Sequence, residues 1–112
     1  MEKTEIKKME SYLGFCIRSG KISFGVDDSE KQKKAFLLIA DENLGESSLK
    51  TMKKLKDKFG CALLIGKSGL LGELLHKPTV KAVAIKDKNL AEAILSVVSG
   101  EFEFKIYSGG NN

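Results

Sequence analysis

The chain has 112 residues, of which 42% are hydrophobic and 30% charged, a balance typical of one folded domain rather than a disordered chain. No apolar run approaches the roughly 20 residues that cross a bilayer, and the charged first residues do not resemble a signal peptide, so we expect a cytoplasmic protein without membrane contact. The net charge of +4 comes almost entirely from lysine, with Arg18 as the one arginine, and is compatible with a nucleic-acid partner.

The hydrophobic pattern predicts helices that alternate with short apolar strands. An amphipathic helix is predicted at 4–18, and a short strand at 21–24 leads through a glycine into a second helix that ends near residue 34. Apolar runs of strand length occupy 35–40, 61–65 and 80–85. Helical spacing indicates further helices at 46–59, at 70–75, and from a cap at Asp87 to residue 99.

This alternation predicts an α/β fold, a three-layer α/β/α sandwich around a mixed, largely parallel four-stranded sheet whose N-terminal strand is antiparallel. Residues 1–107 are predicted to form this single domain. Residues 101–107 alternate apolar and polar side chains, which favours an additional C-terminal edge strand over a disordered tail, and 108–112 is predicted to be disordered. An exposed edge strand would allow self-association through this C-terminal segment.

The residue types needed for catalysis or metal binding are scarce. Cys16 and Cys61 lie in apolar stretches, and we expect buried thiols. His76 is the only histidine, so no zinc-binding set can be assembled, and no metal or cofactor is expected. Gly66-Lys67-Ser68 lacks the glycine spacing of a phosphate-binding loop. No nucleophile, base and orienting group come together, and the sequence therefore predicts a protein that is not an enzyme.

The stretch from Arg18 to Lys31 contains the main candidate site. We expect Gly25 to end a strand and to precede a helix start, whose free backbone N–H groups favour an anionic partner. Asp27 and Asp28 in the same turn do not fit a plain phosphate site, and the residues alone leave open whether they cap the helix or bind a partner. The loop at 76–80 is expected to lie nearby, since loops at one end of the strands commonly form the binding surface of such a sheet.

Several short motifs occur in an order that one known family shares. Arg-Ser-Gly-Lys-Ile at 18–22 is followed by Gly-Val-Asp-Asp at 25–28 and then by Lys31. Leu-Leu-Ile-Ala-Asp-Glu at 37–42, Leu-Gly at 71–72 and the segment at 83–94 come next. Together these motifs resemble a ribosomal-protein superfamily that binds kink-turn RNA, and in particular its small bacterial YlxQ-like members. The resemblance covers most of the predicted domain.

The resemblance implies an α/β/α sandwich that binds sharply bent, structured RNA, with no DNA specificity. Asp28 would accept hydrogen bonds from a guanine edge, Asp27 would make a second polar contact, and Gly25 would allow close approach of the backbone. Lys21 and Lys31 would bind flanking phosphates. The residues implied to contact RNA are Gly20, Lys21, Gly25, Val26, Asp27, Asp28 and Lys31 in the first loop, and His76, Lys77, Pro78, Thr79 and Val80 beside a flipped-out base.

An alternative from another class is a protein-interaction module on the same fold that has lost specific RNA binding. Three features of the sequence favour this alternative. The predicted second helix is about one turn shorter than the family pattern, Asp27 stands where the family has asparagine, and the alternating segment at 101–107 has no counterpart in the family.

Overall fold

The computed structural model describes residues 3–98 and 103–108, which form five helices and five strands. The helices are α1 (Lys3–Arg18), α2 (Val26–Glu30), α3 (Glu46–Phe59), α4 (Leu70–Leu75) and α5 (Lys88–Val98). The strands are β1 (Ile22–Phe24), β2 (Leu37–Asp41), β3 (Ala62–Gly66), β4 (Ala82–Ile85) and β5 (Phe104–Ile106). The predicted order of elements is present, but α2 ends at Glu30 rather than near residue 34. Residues 101–102 of the predicted last strand and 109–112 of the predicted disordered tail lie outside the described residues.

The five strands form one mixed sheet in the order β1-β4-β2-β3-β5. Only β2 and β3 pair in parallel, whereas the β1–β4, β2–β4 and β3–β5 pairs are antiparallel. The prediction of a largely parallel sheet is therefore wrong, because the sheet is mostly antiparallel, and the four predicted strands are joined in it by a fifth, β5. The predicted additional C-terminal strand is confirmed, and it pairs with β3 over Phe104–Ile106.

The direction of β4 follows from the shortness of α4. A parallel β3–β4 connection would have to carry the chain back along β3, whose five residues span about 16 Å. The six residues of α4 span only about 9 Å, and the chain turns back where this helix ends. As a result, β4 begins at the same end of the sheet at which β3 finishes.

Helices pack on both faces of the sheet. Alternate residues of β2 point to opposite sides: Leu37 and Ile39 lie in the core formed with α1, α4 and α5, and Leu38 and Ala40 lie in the core formed with α3. All five residues of β2 are buried, which explains its uninterrupted apolar sequence, since a strand covered on both faces has no solvated side. In the described part of the chain, no helix has the length and apolar character needed to cross a membrane.

The topology divides most of the loops between the two ends of the strands. One end, which we call the Gly25 end, carries residues 25–28, 41–46, 67–69 and 76–81. The opposite end, which we call the Lys21 end, carries residues 18–21, 31–36, 56–61 and 86–88. Backbone hydrogen bonds continue the β1–β4 ladder into both ends, from the N–H of Gly25 to the carbonyl of Ala82 and from the N–H of Lys86 to the carbonyl of Lys21.

Phe104 anchors β5 to β3. Its side chain is 1% exposed and lies against Gly66, where an added Cβ would come within 2.7 Å of the ring. The backbone N–H of Tyr107 donates to the carbonyl of Leu63 at 2.8 Å, which extends the ladder beyond β5. The missing side chain at Gly66 therefore provides the space in which the Phe104 ring is buried.

Replacement of Gly66 tests this packing. Gly66→Ala is expected to lower the free energy of unfolding by about 1–3 kcal/mol, because the new methyl group would overlap the ring of Phe104. The matched control is Gly14→Ala within α1, where the added Cβ would meet only the flexible end of the Arg18 side chain. This control is expected to raise the free energy of unfolding by about 0.5–1 kcal/mol. Urea unfolding measures both effects, and a change of the same sign and size in the two variants would contradict the packing of β5.

Candidate nucleic-acid interface

Gly25 forms the turn between β1 and α2. Its φ of 86° lies in the left-handed region, which glycine adopts without strain. The N–H of Gly25 donates to the carbonyl of Ala82 at 2.7 Å, and the carbonyl of Gly25 accepts hydrogen bonds from the N–H of Ser29 at 3.1 Å and from its Oγ at 2.8 Å. The bond to Ala82 joins the start of α2 to β4, and the fully buried Ser29 closes the first turn of this short helix.

Asp27 and Asp28 are exposed beside an open cleft. The cleft has a volume of about 420 Å³ and is lined by Phe24, Gly25, Val26, Asp27, Asp28 and Ser48. Among the residues that the structure describes, neither side-chain carboxylate accepts a hydrogen bond or pairs with a cation. Both carboxylates are therefore available to hydrogen-bond donors of a partner.

The start of α2 does not form the anion site that its position in the sequence suggested. With five residues, this helix has little more than one turn, so few peptide dipoles are aligned. Asp27 and Asp28 also place negative charge in its first turn. The groups presented at this position are therefore carboxylates that accept hydrogen bonds.

The loop at 76–80 turns back sharply against α4. The N–H of Lys77 donates to the carbonyl of Gly72 at 2.9 Å. Gly72 permits this return, because a Cβ there would come within 3.0 Å of the carbonyl oxygens of Lys77 and Pro78. His76 ends α4 with a φ of 57°, a left-handed conformation in which histidine is more frequent than most residues.

Two contacts connect this loop with its surroundings. The Nζ atom of Lys77 lies over the ring of Phe24, 5.3 Å from the ring centroid, and Phe24 directly precedes Gly25. On the other side, the Nε2 atom of His76 lies 2.8 Å from the Oε2 atom of Glu10 in α1. The Gly25 turn and the loop therefore form one surface, on which His76, Lys77, Pro78 and Thr79 are exposed and Val80 is half-buried.

Three of the expected contact residues are not brought to this surface. Gly20 and Lys21 lie at the Lys21 end, separated from Gly25 by the length of β1, or about 13 Å. Lys31 follows the last residue of α2, which leads away from the Gly25 end. The lysines of the Gly25 end are Lys77, which was expected, and Lys67 and Lys81, which were not.

A carboxylate network that the sequence analysis missed connects two further loops at this end. Asp41 is 1% exposed and accepts hydrogen bonds from the backbone N–H groups of Asn43 and Gly69, both at 2.7 Å. Glu42 accepts one from the N–H of Ser68 at 3.0 Å, and the side-chain amide of Asn43 donates to the Ser68 hydroxyl. In the sequence, this network was indicated only by the Asp-Glu-Asn at 41–43 that ends a buried strand. These residues lie beside the Gly-Lys-Ser-Gly turn at 66–69 because β2 and β3 pair in parallel, which the sequence does not show.

The Gly25 end carries a mixed charge that is mainly acidic. Its loops contain three lysines and five acidic residues, which are Asp27, Asp28, Asp41, Glu42 and Glu46. Asp41 is buried in the network, whereas the other four acids are exposed. A surface of this kind does not attract phosphate over long distances, and its exposed carboxylates can accept hydrogen bonds from N–H donors of a partner.

The thiols and the other candidate metal ligands form no chemical centre at this surface. Burial, together with the smaller effect of the nearby Asp87 carboxylate, raises the pKa of Cys16 to about 11. Burial also raises the pKa of Cys61, an effect that Lys56 and Lys34 partly oppose. Both thiols are thus protonated near neutral pH and are weak nucleophiles. Within residues 3–98 and 103–108, no three His, Cys, Asp or Glu side chains are grouped so as to hold a metal ion.

No protein family and no curated protein matches the sequence. Solved structures do match its fold. The structure of a protein with unknown function from Bacillus halodurans C has 17% sequence identity and a TM-score of 0.68, over 81% of this chain and 96% of that chain. At this level of identity, the similarity shows a shared fold and nothing more.

The role of Asp41 can be measured as stability. Asp41→Ala is expected to lower the free energy of unfolding by about 2–4 kcal/mol, because two backbone N–H groups would lose their charged acceptor. Glu42→Ala is the matched control, since Glu42 is exposed and accepts a single hydrogen bond from Ser68, and its cost is expected to stay below about 1 kcal/mol. Denaturant unfolding followed by circular dichroism compares the two, and equal costs would contradict a special role for Asp41.

Proposed function

We propose that this protein is a non-catalytic, ribosomal-protein-like RNA-binding accessory that recognises a kink-turn or a similarly bent RNA with the Gly25 end of its sheet. One observation carries the proposal: the Gly25 turn and the loop at 76–80 form a single surface. The hydrogen bond from Gly25 to Ala82 and the position of Lys77 over Phe24 join the two segments. These are the two segments that the resemblance to kink-turn-binding proteins implicates.

The chemistry of this surface suits contact with bases more than with phosphates alone. Asp27 and Asp28 accept hydrogen bonds and are exposed beside the cleft, so they match N–H donors on base edges, such as the amino group of guanine. Lys77 and Lys81 are exposed at the same end and supply contacts to the phosphate backbone. Gly25 has no side chain to keep an RNA strand at a distance.

Asp28 provides the sharpest test of this proposal. Asp28→Ala is expected to reduce the preference for a kink-turn RNA over a straight duplex of equal length by about 5- to 100-fold, because a base donor would lose its acceptor. The variant is expected to keep its stability within about 0.5 kcal/mol, since the Asp28 side chain is exposed. Fluorescence anisotropy with the two labelled RNAs, at two salt concentrations, measures the preference.

The matched control is Glu92→Ala, which removes one exposed carboxylate from α5, outside the loops of both ends of the sheet. This control is expected to leave the preference for the kink-turn unchanged. An equal loss in both variants would show a general charge effect and would contradict the role of Asp28. Equal binding of the kink-turn and the straight duplex by the unaltered protein would refute the proposed function itself.

A second candidate function, association of two copies through β5, is favoured by the exposed side of that strand. β5 is the last strand of the sheet, and the side chain of Ile106 is 53% exposed. The carbonyl of Glu103 and the N–H of Tyr107 bond to the β3 segment. Because the backbone groups of an antiparallel ladder alternate, those of Phe104 and Ile106 point away from β3. They provide the hydrogen-bonding groups to which another strand would pair.

Ile106→Pro distinguishes this candidate from a monomeric protein. Proline removes an N–H that points away from β3 and leaves the hydrogen bonds between β3 and β5 in place, so the dimer is expected to become a monomer. Ile106→Val keeps the N–H and is expected to remain dimeric. Light scattering coupled to size-exclusion chromatography measures the mass, and an unaltered protein that stays monomeric at high concentration would contradict this candidate.

A further inference from the structure

Charge is distributed unequally between the two ends of the sheet. The loops of the Lys21 end contain two acidic residues and nine basic ones, which are Arg18, Lys21, Lys31, Lys33, Lys34, Lys56, Lys58, Lys86 and Lys88. The loops of the Gly25 end contain three basic residues and five acidic ones. The Lys21 end therefore has a larger net positive charge than the +4 of the whole chain.

The basic residues follow one another across the sheet in the order of the strands. The N–H of Lys86 donates to the carbonyl of Lys21 at 2.8 Å, and the N–H of Phe36 donates to the carbonyl of Ile85 at 2.8 Å. The loops that precede β1, follow β4, precede β2 and precede β3 are therefore neighbours in that order. With strands about 4.8 Å apart, the row of loops extends over about 14 Å.

The positive charge at this end is not neutralised within the protein. Asp57 lies 3.9 Å from its neighbour Lys56, and Asp87 accepts a hydrogen bond from the N–H of Leu90 at 2.9 Å, which caps α5. In the part of the chain that the structure describes, no carboxylate pairs with the four lysines Lys21, Lys34, Lys58 and Lys86. Lys86 is half-buried and the other three are exposed.

An exposed aromatic ring lies next to this row of lysines. Phe15 is in the last turn of α1, and its side chain is 57% exposed. The guanidinium of Arg18 lies 5.3 Å from the centroid of its ring, and Arg18 is the first residue of the Lys21 end. Lysines that serve only solubility need not be concentrated at one end of the sheet. They also need no exposed aromatic ring beside them.

We propose that the Lys21 end binds the phosphate backbone of an unpaired RNA strand and that Phe15 stacks on one of its bases. Exposed lysines bind phosphates as point charges and do not select a sequence. A basic row with an adjacent aromatic ring is the arrangement that holds single-stranded nucleic acid. The RNA partner rests on the proposed function, but the contact lies at the opposite end of the sheet and uses different side chains.

The test uses a labelled oligouridine of about 15 nucleotides as the single-stranded probe. The variant Lys34→Gln/Lys58→Gln/Lys86→Gln removes three charges from the Lys21 end and none from the Gly25 end. Its affinity for the probe is expected to fall by at least ~10-fold at low salt, and the slope of log affinity against log salt to become shallower by about two. The matched control is Lys7→Gln/Lys8→Gln/Lys50→Gln, which has the same net charge and is expected to lose less than about threefold, with nearly the original slope.

Phe15→Ser tests the stacking contact. Loss of one stacked base is expected to weaken binding of the oligouridine by roughly 5- to 100-fold without changing the salt dependence. Circular dichroism of all three variants shows whether they remain folded. An unchanged affinity of folded Phe15→Ser would overturn the stacking role, and an equal loss of affinity in the two triple variants would overturn the Lys21 end as the binding surface.

The preference for a kink-turn over a straight duplex separates this inference from the proposed function. The Lys34, Lys58 and Lys86 triple variant is expected to keep that preference, because its three changes lie away from the Gly25 end. If the protein shows no preference but its oligouridine binding still requires these lysines, the proposed function fails and the inference stands. If the preference is present and the triple variant binds oligouridine normally, the inference fails and the proposed function stands.

Discussion

The pairing of β4 with two strands determines the arrangement of the whole molecule. β4 forms antiparallel ladders with β1 on one side and with β2 on the other, so it joins the N-terminal strand to the parallel β2–β3 pair. The Gly25 turn follows β1 and the loop at 76–80 precedes β4, so the pairing of β1 with β4 places the two segments side by side. The same ladder brings Lys21 and Lys86 together at the opposite end. Both proposed binding surfaces are thus consequences of one pairing.

Much of the fold could be predicted from the sequence, and the main error has a clear physical cause. An apolar run such as 35–40 indicates that a strand is covered on both faces. It does not indicate whether the neighbouring strands run parallel or antiparallel to it. That direction depends on where each connection returns the chain. For β4 it was decided by the length of α4 and by Gly72, whose missing side chain allows the backbone at Lys77 and Pro78 to fold back.

The candidate site could be predicted only in part, because sequence spacing orders residues along the chain and does not place them in space. Gly25 and the loop at 76–80 were expected to be neighbours, and they are. Lys21 was grouped with Gly25 because the family resemblance implied it, yet the three residues of β1 between them are extended and place the two at opposite ends of the sheet. The network around Asp41 and the concentration of lysines at the Lys21 end combine segments that are distant in sequence. Neither was visible before the topology was known.

Phe104 also determines how the sheet can open. β5 contributes three residues, and among them only Phe104 is buried. Detachment of β5 would expose this ring and leave the four remaining strands and both helix layers in place, so it requires less free energy than unfolding of the whole domain. β3 would then present the open backbone groups of an apolar strand to other molecules, which is a common origin of aggregation. The C-terminal strand therefore protects the middle of the chain, and the buried ring of Phe104 anchors that strand.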